Sequence, residues 1–269
     1  MVQSSGVKKG QEKGLPLWQF DNFPKGQRHF VSGRGGGVSE EPFASLNLSF
    51  SAGDKSENVL ENRKRIAMAM EIELDKLLFV SQCHSDRFVC IEKGSAFVPG
   101  QEADALITNV PGLCICVMGA DCVPLLAFDP KKNVVAAIHA GWRGTASGIS
   151  LKVLEAMRER FGCRPDDMWI GIGPSISQEK YEVGEEVYAS FFEQRPEEAK
   201  RVFRYDAERN KYYPNLWEAN KWQALSLGIP EQQIEIGGIC TYSHPEEFFS
   251  ARYFQNKTGR FAAGIRLEP

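Results

Sequence analysis

The stretch LCICVM from Leu113 to Met118, PLLAF from Pro124 to Phe128, DPKKN from Asp129 to Asn133 and VVAAIH from Val134 to His139 decides the fold. Three apolar runs of strand length, with turn formers gathered between the second and third, predict a β-hairpin within a buried sheet. Each run falls well short of the roughly 20 residues that a membrane helix needs. Outward from this centre, strands are expected at Leu78 to Gln82, Phe88 to Glu92, Trp169 to Ile172, Ile234 to Ile239 and Phe261 to Ile265.

Helix patterns separate these runs. Asp54 to Met70 opens with Asp54 or Ser56 as a cap and carries Val59, Leu60, Ile66, Ala67 and Met70 at near-helical spacing, with Arg63, Lys64 and Arg65 between them. Asn215 to Leu227 is better punctuated: Asn215 caps it, Glu218 follows three residues on, Gly228 stops it and Pro230 prevents continuation. A helix is expected from Thr145 to Phe161, ending at Gly162, and a shorter one from Gly184 to Glu193. The elements interleave without regular β-α alternation, so the expected fold class is α+β, a single domain of mixed β-sheets flanked by helices.

A chain of 269 residues allows one large domain or two small ones, and neither a repeat nor a Pro/Gly/Ser linker divides it. The domain is expected over residues 15–269, preceded by a flexible tail at residues 1–14, which are polar and rich in Lys, Gly and Ser. With 42% hydrophobic residues the chain is not disordered, and 32 Lys plus Arg against 35 Asp plus Glu leave a net charge of -3. That balance argues against nucleic acid as a partner, since duplex binding needs concentrated basic residues, and any anionic ligand has to be met by a local cluster. Seven cysteines, an odd number at low density, together with no secretory h-region, place the expectation in a reducing cytoplasm with no membrane partner.

Three segments carry metal-competent side chains at predicted strand ends: Gln82-Cys83-His84-Ser85, Ala120-Asp121-Cys122-Val123-Pro124, and Ile138-His139-Ala140-Gly141-Trp142-Arg143-Gly144. If they meet, two neutral imidazoles and one thiolate form a set suited to Zn²⁺, and three protein ligands leave the fourth position open for water or substrate. Spacing alone does not decide the matter, because no CxxC or HExxH element is present. A packed histidine, a buried cysteine, or a metal-free Cys122 nucleophile with His139 as its base for amide or ester hydrolysis also fit these residues.

Gln82 to His84, Ala103-Asp104-Ala105 with Thr108, Ala120-Asp121-Cys122 with Pro124, and His139 to Gly144 together resemble the YfiH/laccase-domain family, also described as purine nucleoside phosphorylase or polyphenol oxidase proteins. Gly173-Pro174 with Tyr181 to Gly184, Asn215-Leu216, Cys240-Thr241, Phe249 to Arg252 and Thr258 to Arg260 extend the resemblance over about residues 28 to 266. The resemblance implies a YfiH-like catalytic domain with one open zinc site formed by His84, Cys122 and His139. It implies phosphorolysis of adenosine, inosine, guanosine and methylthioadenosine, with purine nucleoside and phosphate as substrates, and deamination of adenosine. Editing of a peptidoglycan precursor by an amidase is a variant it also implies. This sequence departs at Gly119, where Thr often stands, and at Tyr253, where another Arg often stands.

Four further residues are candidates. Arg143, expected at a helix N-terminus, is read as holding phosphate bidentately, against an alternative in which it stacks on Trp142 or pairs with a carboxylate. Arg34, in the glycine-rich run Ser32 to Gly37, is a candidate for phosphate or ribose, against a flexible turn. Asp121 is read as orienting an imidazole or capping a turn, and Gln82 as touching substrate or closing a strand end. The remaining cysteines, with His29, His244, Phe248 and Phe249, are read as packing or surface residues. Copper is disfavoured, because a multinuclear copper oxidase requires more imidazoles than these four histidines. A non-enzymatic zinc-binding module is the remaining alternative.

Overall fold

The computed structural model describes residues 7–268. In chain order the elements are β1 (Val7–Glu12), β2 (Leu15–Phe20), β3 (His29–Ser32), α1 (Ser56–Ala69), β4 (Leu77–Phe79), β5 (Phe88–Ile91), β6 (Ala105–Thr108), β7 (Cys114–Gly119), β8 (Val123–Asp129) and β9 (Val134–Ala140). There follow α2 (Trp142–Ala146), α3 (Ile149–Phe161), β10 (Trp169–Ile172), α4 (Glu185–Gln194), α5 (Pro196–Val202), β11 (Phe203–Asp206), β12 (Lys211–Pro214), α6 (Leu216–Ser226), β13 (Ile234–Ile236) and β14 (Phe261–Arg266). One sheet runs β1-β2-β3-β14-β7-β4 and a second β13-β10-β8-β9-β6-β5, with β11 and β12 as a separate pair. Parallel pairs at β4 and β7, β5 and β6, and β10 and β13 sit among antiparallel ones, so both large sheets are mixed and the α+β expectation holds.

The period of two along each strand explains the unbroken apolar runs. In β7, Ile115 and Val117 face the second sheet, where they join Leu126, Phe128, Val135 and Ala137 in one core between the sheets. Cys114 and Cys116 point the other way, onto Ile66, Ala67 and Ala69 of α1. In β8 and β9 the alternate set, Val123, Leu125, Val134, Ala136 and Ile138, packs under Ile149, Val153, Leu154 and Met157 of α3. The central strands of both sheets are thus covered on both faces, and each fully buried Val, Leu or Ile contributes about 1.5–3 kcal/mol.

The expected hairpin is β8 and β9, in register from Val123 opposite Ala140 to Asp129 opposite Val134. Asp129 ties its turn by accepting from the backbone N–H groups of Lys131 and Lys132 at 2.8 and 3.0 Å. The preceding run, β7, belongs to the other sheet. Between β7 and β8 the chain turns the corner Ala120-Asp121-Cys122 with Asp121 at φ +88°, a conformation held by Thr241 Oγ1 and the Arg252 N–H donating to its carboxylate, each at 2.7 Å. Gly119 leaves room there for the Phe261 ring, which lies 3.0 Å from where a Cβ would stand.

Several local expectations are corrected. Of the tail expected over 1–14, residues 7–12 form β1, paired in register with β2; residues 1–6 lie outside the described residues. The two-residue loop Lys13-Gly14 has both φ values positive, +48° and +87°, which matches the right-handed twist of a tight hairpin. Helix α1 is capped by Lys55 without a side-chain bond, rather than by Asp54 or Ser56. The helix expected from Thr145 to Phe161 is two, α2 and α3, because Gly148 at φ +76° breaks it where Arg195 fills the space a side chain would need. Asn215 caps α6 as expected, accepting from the Glu218 N–H at 3.1 Å.

Candidate functional site

Asp104, the residue before β6, is the hub of the site. Its carboxylate is fully buried and accepts from the backbone N–H groups of Cys83, His84 and Ser85 at 3.3, 3.0 and 2.6 Å, and from Ser85 Oγ at 2.8 Å. These bonds hold the loop after β4 in a tight curl that puts His84 at φ +59°. The same carboxylate meets His139 Nδ1 at 2.8 Å. Burial would raise the Asp104 carboxyl, but the bonds from His139 and Ser85 hold it well below the usual carboxylate range. A carboxylate can only accept, so His139 donates from Nδ1 and leaves Nε2 free.

That free nitrogen faces Cys122, at the end of the corner that joins the two sheets. One donor atom each from His84, Cys122 and His139 lies within 4.8 Å of the others, with Cys122 Sγ 3.9 Å from His84 Nε2. Zinc bonds of about 2.0–2.3 Å in a tetrahedron place ligand atoms roughly 3.3–3.8 Å apart, so this trio needs only a small contraction to hold the ion. The donor set is the borderline-soft nitrogen and sulfur mixture that zinc prefers, and the second nitrogen of His139 already has the carboxylate partner typical of a metal ligand. Burial would raise the Cys122 thiol, but the charge of His139 and hydrogen bonds from both histidines outweigh it and bring the thiol down to about 6. Burial likewise disfavours the His139 cation, yet Cys122 and Asp104 lift it to about 9. Gly141 gives this trio its room: a Cβ there would stand 3.1 Å from Cys122 Sγ and 3.2 Å from His84 Cδ2.

The trio opens into a cavity of about 660 Å³, lined also by Arg63, Arg260, Phe50 and Met118. The four sequence candidates outside the trio fare differently. Gln82 reaches the cavity wall, but its amide is taken up by the Met118 backbone, Nε2 donating to the carbonyl at 2.8 Å and Oε1 accepting from the N–H at 2.7 Å, so it closes the strand end. Asp121 is committed to Thr241 and Arg252, and the imidazole-orienting carboxylate is Asp104 instead. Arg34 is tied to the carbonyls of Ala44 and Pro245, each at 2.8 Å, and lies over Phe249 and Phe254, away from the cavity lining. Arg143 is exposed and rests on the Trp142 ring at 4.4 Å, on a helix of only five residues. Phe248, Phe249 and His29 are buried and His244 is exposed at the surface, as read from the sequence.

Sequence reasoning gave no role to Asp104, Arg63 or Arg260. The first and last stood inside quoted motifs, and Arg63 was named only between the apolar positions of its helix. No helix among the described residues is long and apolar enough to cross a membrane.

Two mixed sheets whose seam brings a His-Cys-His trio to the mouth of one cavity define the class. Residues 28–268 match the model of the multi-copper polyphenol oxidoreductase laccases, and the chain belongs to that family. It is 40% identical over 246 residues to a purine nucleoside phosphorylase of Bacteroides thetaiotaomicron, spanning 89% of this chain and 91% of that one. It is 34% identical over 258 residues to adenosine deaminase RL5 of an unknown prokaryotic organism, spanning 93% and 98%. The crystal structure of the hypothetical protein YfiH from Bacillus licheniformis matches the fold with a TM-score of 0.89 at 30% identity, covering 96% of this chain and 98% of that one. The YfiH resemblance and the YfiH-like fold class are thereby borne out.

Proposed function

We propose that this protein is a zinc-dependent purine nucleoside phosphorylase, acting on adenosine, inosine, guanosine and methylthioadenosine, that also deaminates adenosine. The observation that carries this reading is the His84, Cys122 and His139 trio facing a cavity large enough for a nucleoside, in a chain similar to proteins named for both activities. Zinc, held by His84, Cys122 and His139, would supply a Lewis acid at the cavity. The protein's own part is positioning: Asp104 fixes the His139 tautomer, Gly141 keeps the approach clear, and Phe50 and Met118 offer apolar faces to a purine. In phosphorolysis a phosphate oxygen bonds to C1′ as the C1′–N9 bond breaks, the electron pair leaves with the base, and the proton the phosphate gives up ends on that base. In deamination water adds at C6 and ammonia leaves.

Four histidines limit the copper alternative that the family's description raises. His29 uses both ring nitrogens within the core, accepting from the Phe20 N–H at 2.8 Å and bonding the Gln27 carbonyl at 2.9 Å, and His244 sits on the surface beside Glu246. The free state of all seven cysteines accords with a reducing compartment, the cytoplasm, as the place of action. Metal-replete protein given adenosine and phosphate is expected to yield adenine, ribose 1-phosphate and inosine. Absence of all three products from protein whose trio is loaded overturns the proposal.

One observation favours a second reading. Asp104, His139 and Cys122 stand in the order of a carboxylate, base and thiol nucleophile, with the thiol drawn down to about 6. A cysteine hydrolase, including an amidase that edits peptidoglycan precursors, would use that order without metal. Hydrolysis of an amide or ester substrate that persists in chelator and disappears in Cys122→Ser decides for it.

A further inference from the structure

Arg63, in α1, and Arg260, the residue before β14, reach the same cavity as the trio. One short segment holds both. Arg63 Nε donates to the Leu48 carbonyl at 2.9 Å, the Leu48 N–H donates to the Arg260 carbonyl at 3.0 Å, and the Arg260 N–H donates to Asn47 Oδ1 at 2.9 Å. The segment is itself clamped from α1, where fully buried Asn62 donates to the carbonyls of Ser45 and Asn47 at 3.1 and 2.9 Å. The register of both arginines is therefore set by one buried amide next to Arg63 in sequence.

Their electrical situation is unusual. Neither guanidinium has a carboxylate within ion-pair distance among the described residues. Arg63 lies between Phe50 and Phe79, with its guanidinium carbon 4.5 and 4.1 Å from the ring centres, and burial pulls it down to about 10. Burial also lowers Arg260, whose carbonyl partners at Thr258 and Gly259, both 2.9 Å from Nη1, carry no charge. Desolvating a cation without a counter-ion is unfavourable, and two such cations on one cavity wall mark a place for an anion. Gly259 makes the close fit, since a Cβ there would meet Phe249 at 2.8 Å and Asn47 at 2.9 Å.

We propose that Arg63 and Arg260 form the subsite for inorganic phosphate, the second substrate, opposite the His84, Cys122 and His139 trio. Guanidinium forks pair with phosphate oxygens through parallel N–H groups, which a lysine cannot do. The net charge of -3 gives the whole protein no pull on phosphate, so the capture falls to this pair. The inference rests on the phosphorylase reading and is tested so that the two can fail separately.

Inorganic phosphate is titrated calorimetrically into zinc-loaded wild-type protein, R63Q and R260Q, with bound metal measured in each. Adenosine turnover in phosphate is followed for both products. Phosphate affinity is expected to fall at least tenfold in each variant, with metal content unchanged, and the ratio of phosphorolysis to deamination is expected to fall at least tenfold. Equal phosphate affinity in all three proteins overturns the assignment, as does a rise in KM for adenosine with none for phosphate. If either glutamine variant fails to fold, as read from its melting curve, R63K and R260K take its place: they keep the charge and lose the fork, and unchanged phosphate affinity in them overturns the assignment. AMP provides the other possible source of a phosphate group, and binding of AMP at least tenfold tighter than phosphate, lost in R63Q, would give the subsite to a nucleotide and overturn the present one. Wild-type protein that binds phosphate through these arginines but forms no ribose 1-phosphate upholds the subsite and removes the phosphorylase reading.

Discussion

Asp104 and His139, both buried, share a 2.8 Å contact between Oδ1 and Nδ1, and the same carboxylate curls the His84 loop through three backbone N–H groups. One side chain thus sets the geometry of two of the three donors. Asp104→Asn keeps the shape but loses the charge and replaces one acceptor oxygen with a donor amide that faces N–H groups. Zinc affinity is expected to fall about 10–100-fold, as for other partners of metal-bound histidines, and chelator competition measures it. Affinity within twofold of wild type would show that the trio needs no such anchor.

The trio also depends on the absence of a side chain at residue 141. A Cβ at 3.1 Å from Cys122 Sγ and 3.2 Å from His84 Cδ2 is tighter than ordinary contact, so Gly141→Ala has to push two donors apart. The φ of Gly141 is -70°, which alanine adopts freely, so the backbone adds no penalty. Metal occupancy is expected to drop at least tenfold while the melting temperature of the metal-free protein stays close to wild type. Full occupancy in the alanine variant would mean that the donors have slack.

What could be read in advance divides by range. Helix α6 was legible because its signals, Asn215, Glu218, Gly228 and Pro230, act within a few residues of one another. The β8 and β9 hairpin was legible for the same reason, its turn being tied by Asp129 to Lys131 and Lys132. That β7 leaves for the other sheet was not, since the corner at Asp121 is held by Thr241 and Arg252, 120 and 131 residues away. The trio was found through motif resemblance, whereas Asp104 went without a role because its bonds reach backbone N–H groups about 20 residues earlier, which no side-chain pattern advertises. Arg63 reads only as a residue between the apolar positions of its helix until Leu48, Phe50 and Phe79 are seen around it.

Removal of metal should change the chemistry of one cysteine above the others. Cys122, drawn down to about 6, is largely thiolate at pH 7.5, whereas burial raises Cys116 and Cys163 and keeps them inert. In zinc-loaded protein Cys122 is expected to resist iodoacetamide, and a chelator is expected to raise its alkylation rate at least tenfold, as followed by peptide mass spectrometry. Rapid alkylation of the loaded protein would favour the nucleophile over the ligand.

His29 gives the fold a pH limit remote from the site. It lies buried between Phe20 and Phe23, with ring centres 5.9 and 4.6 Å away, and burial lowers it from 6.5 to about 4 against the smaller upward pull of its bond to the Gln27 carbonyl. The folded protein binds this proton less readily than the unfolded chain does, so the neutral form stabilises the fold. That contribution is complete above about pH 6.5 and is lost progressively as pH falls toward about 4. A shift of this size corresponds to about 3 kcal/mol across the window, since each unit is worth about 1.4 kcal/mol. Urea unfolding at intervals from pH 7 to 4 should show that loss in wild-type protein, and His29→Gln, which keeps an acceptor for the Phe20 N–H and does not titrate, should flatten the curve by about the same amount. Nuclear magnetic resonance gives the direct check: a His29 ring that titrates near 6.5 in the folded protein would refute the cause, because a ring free to charge at its ordinary value cannot draw stability from burial.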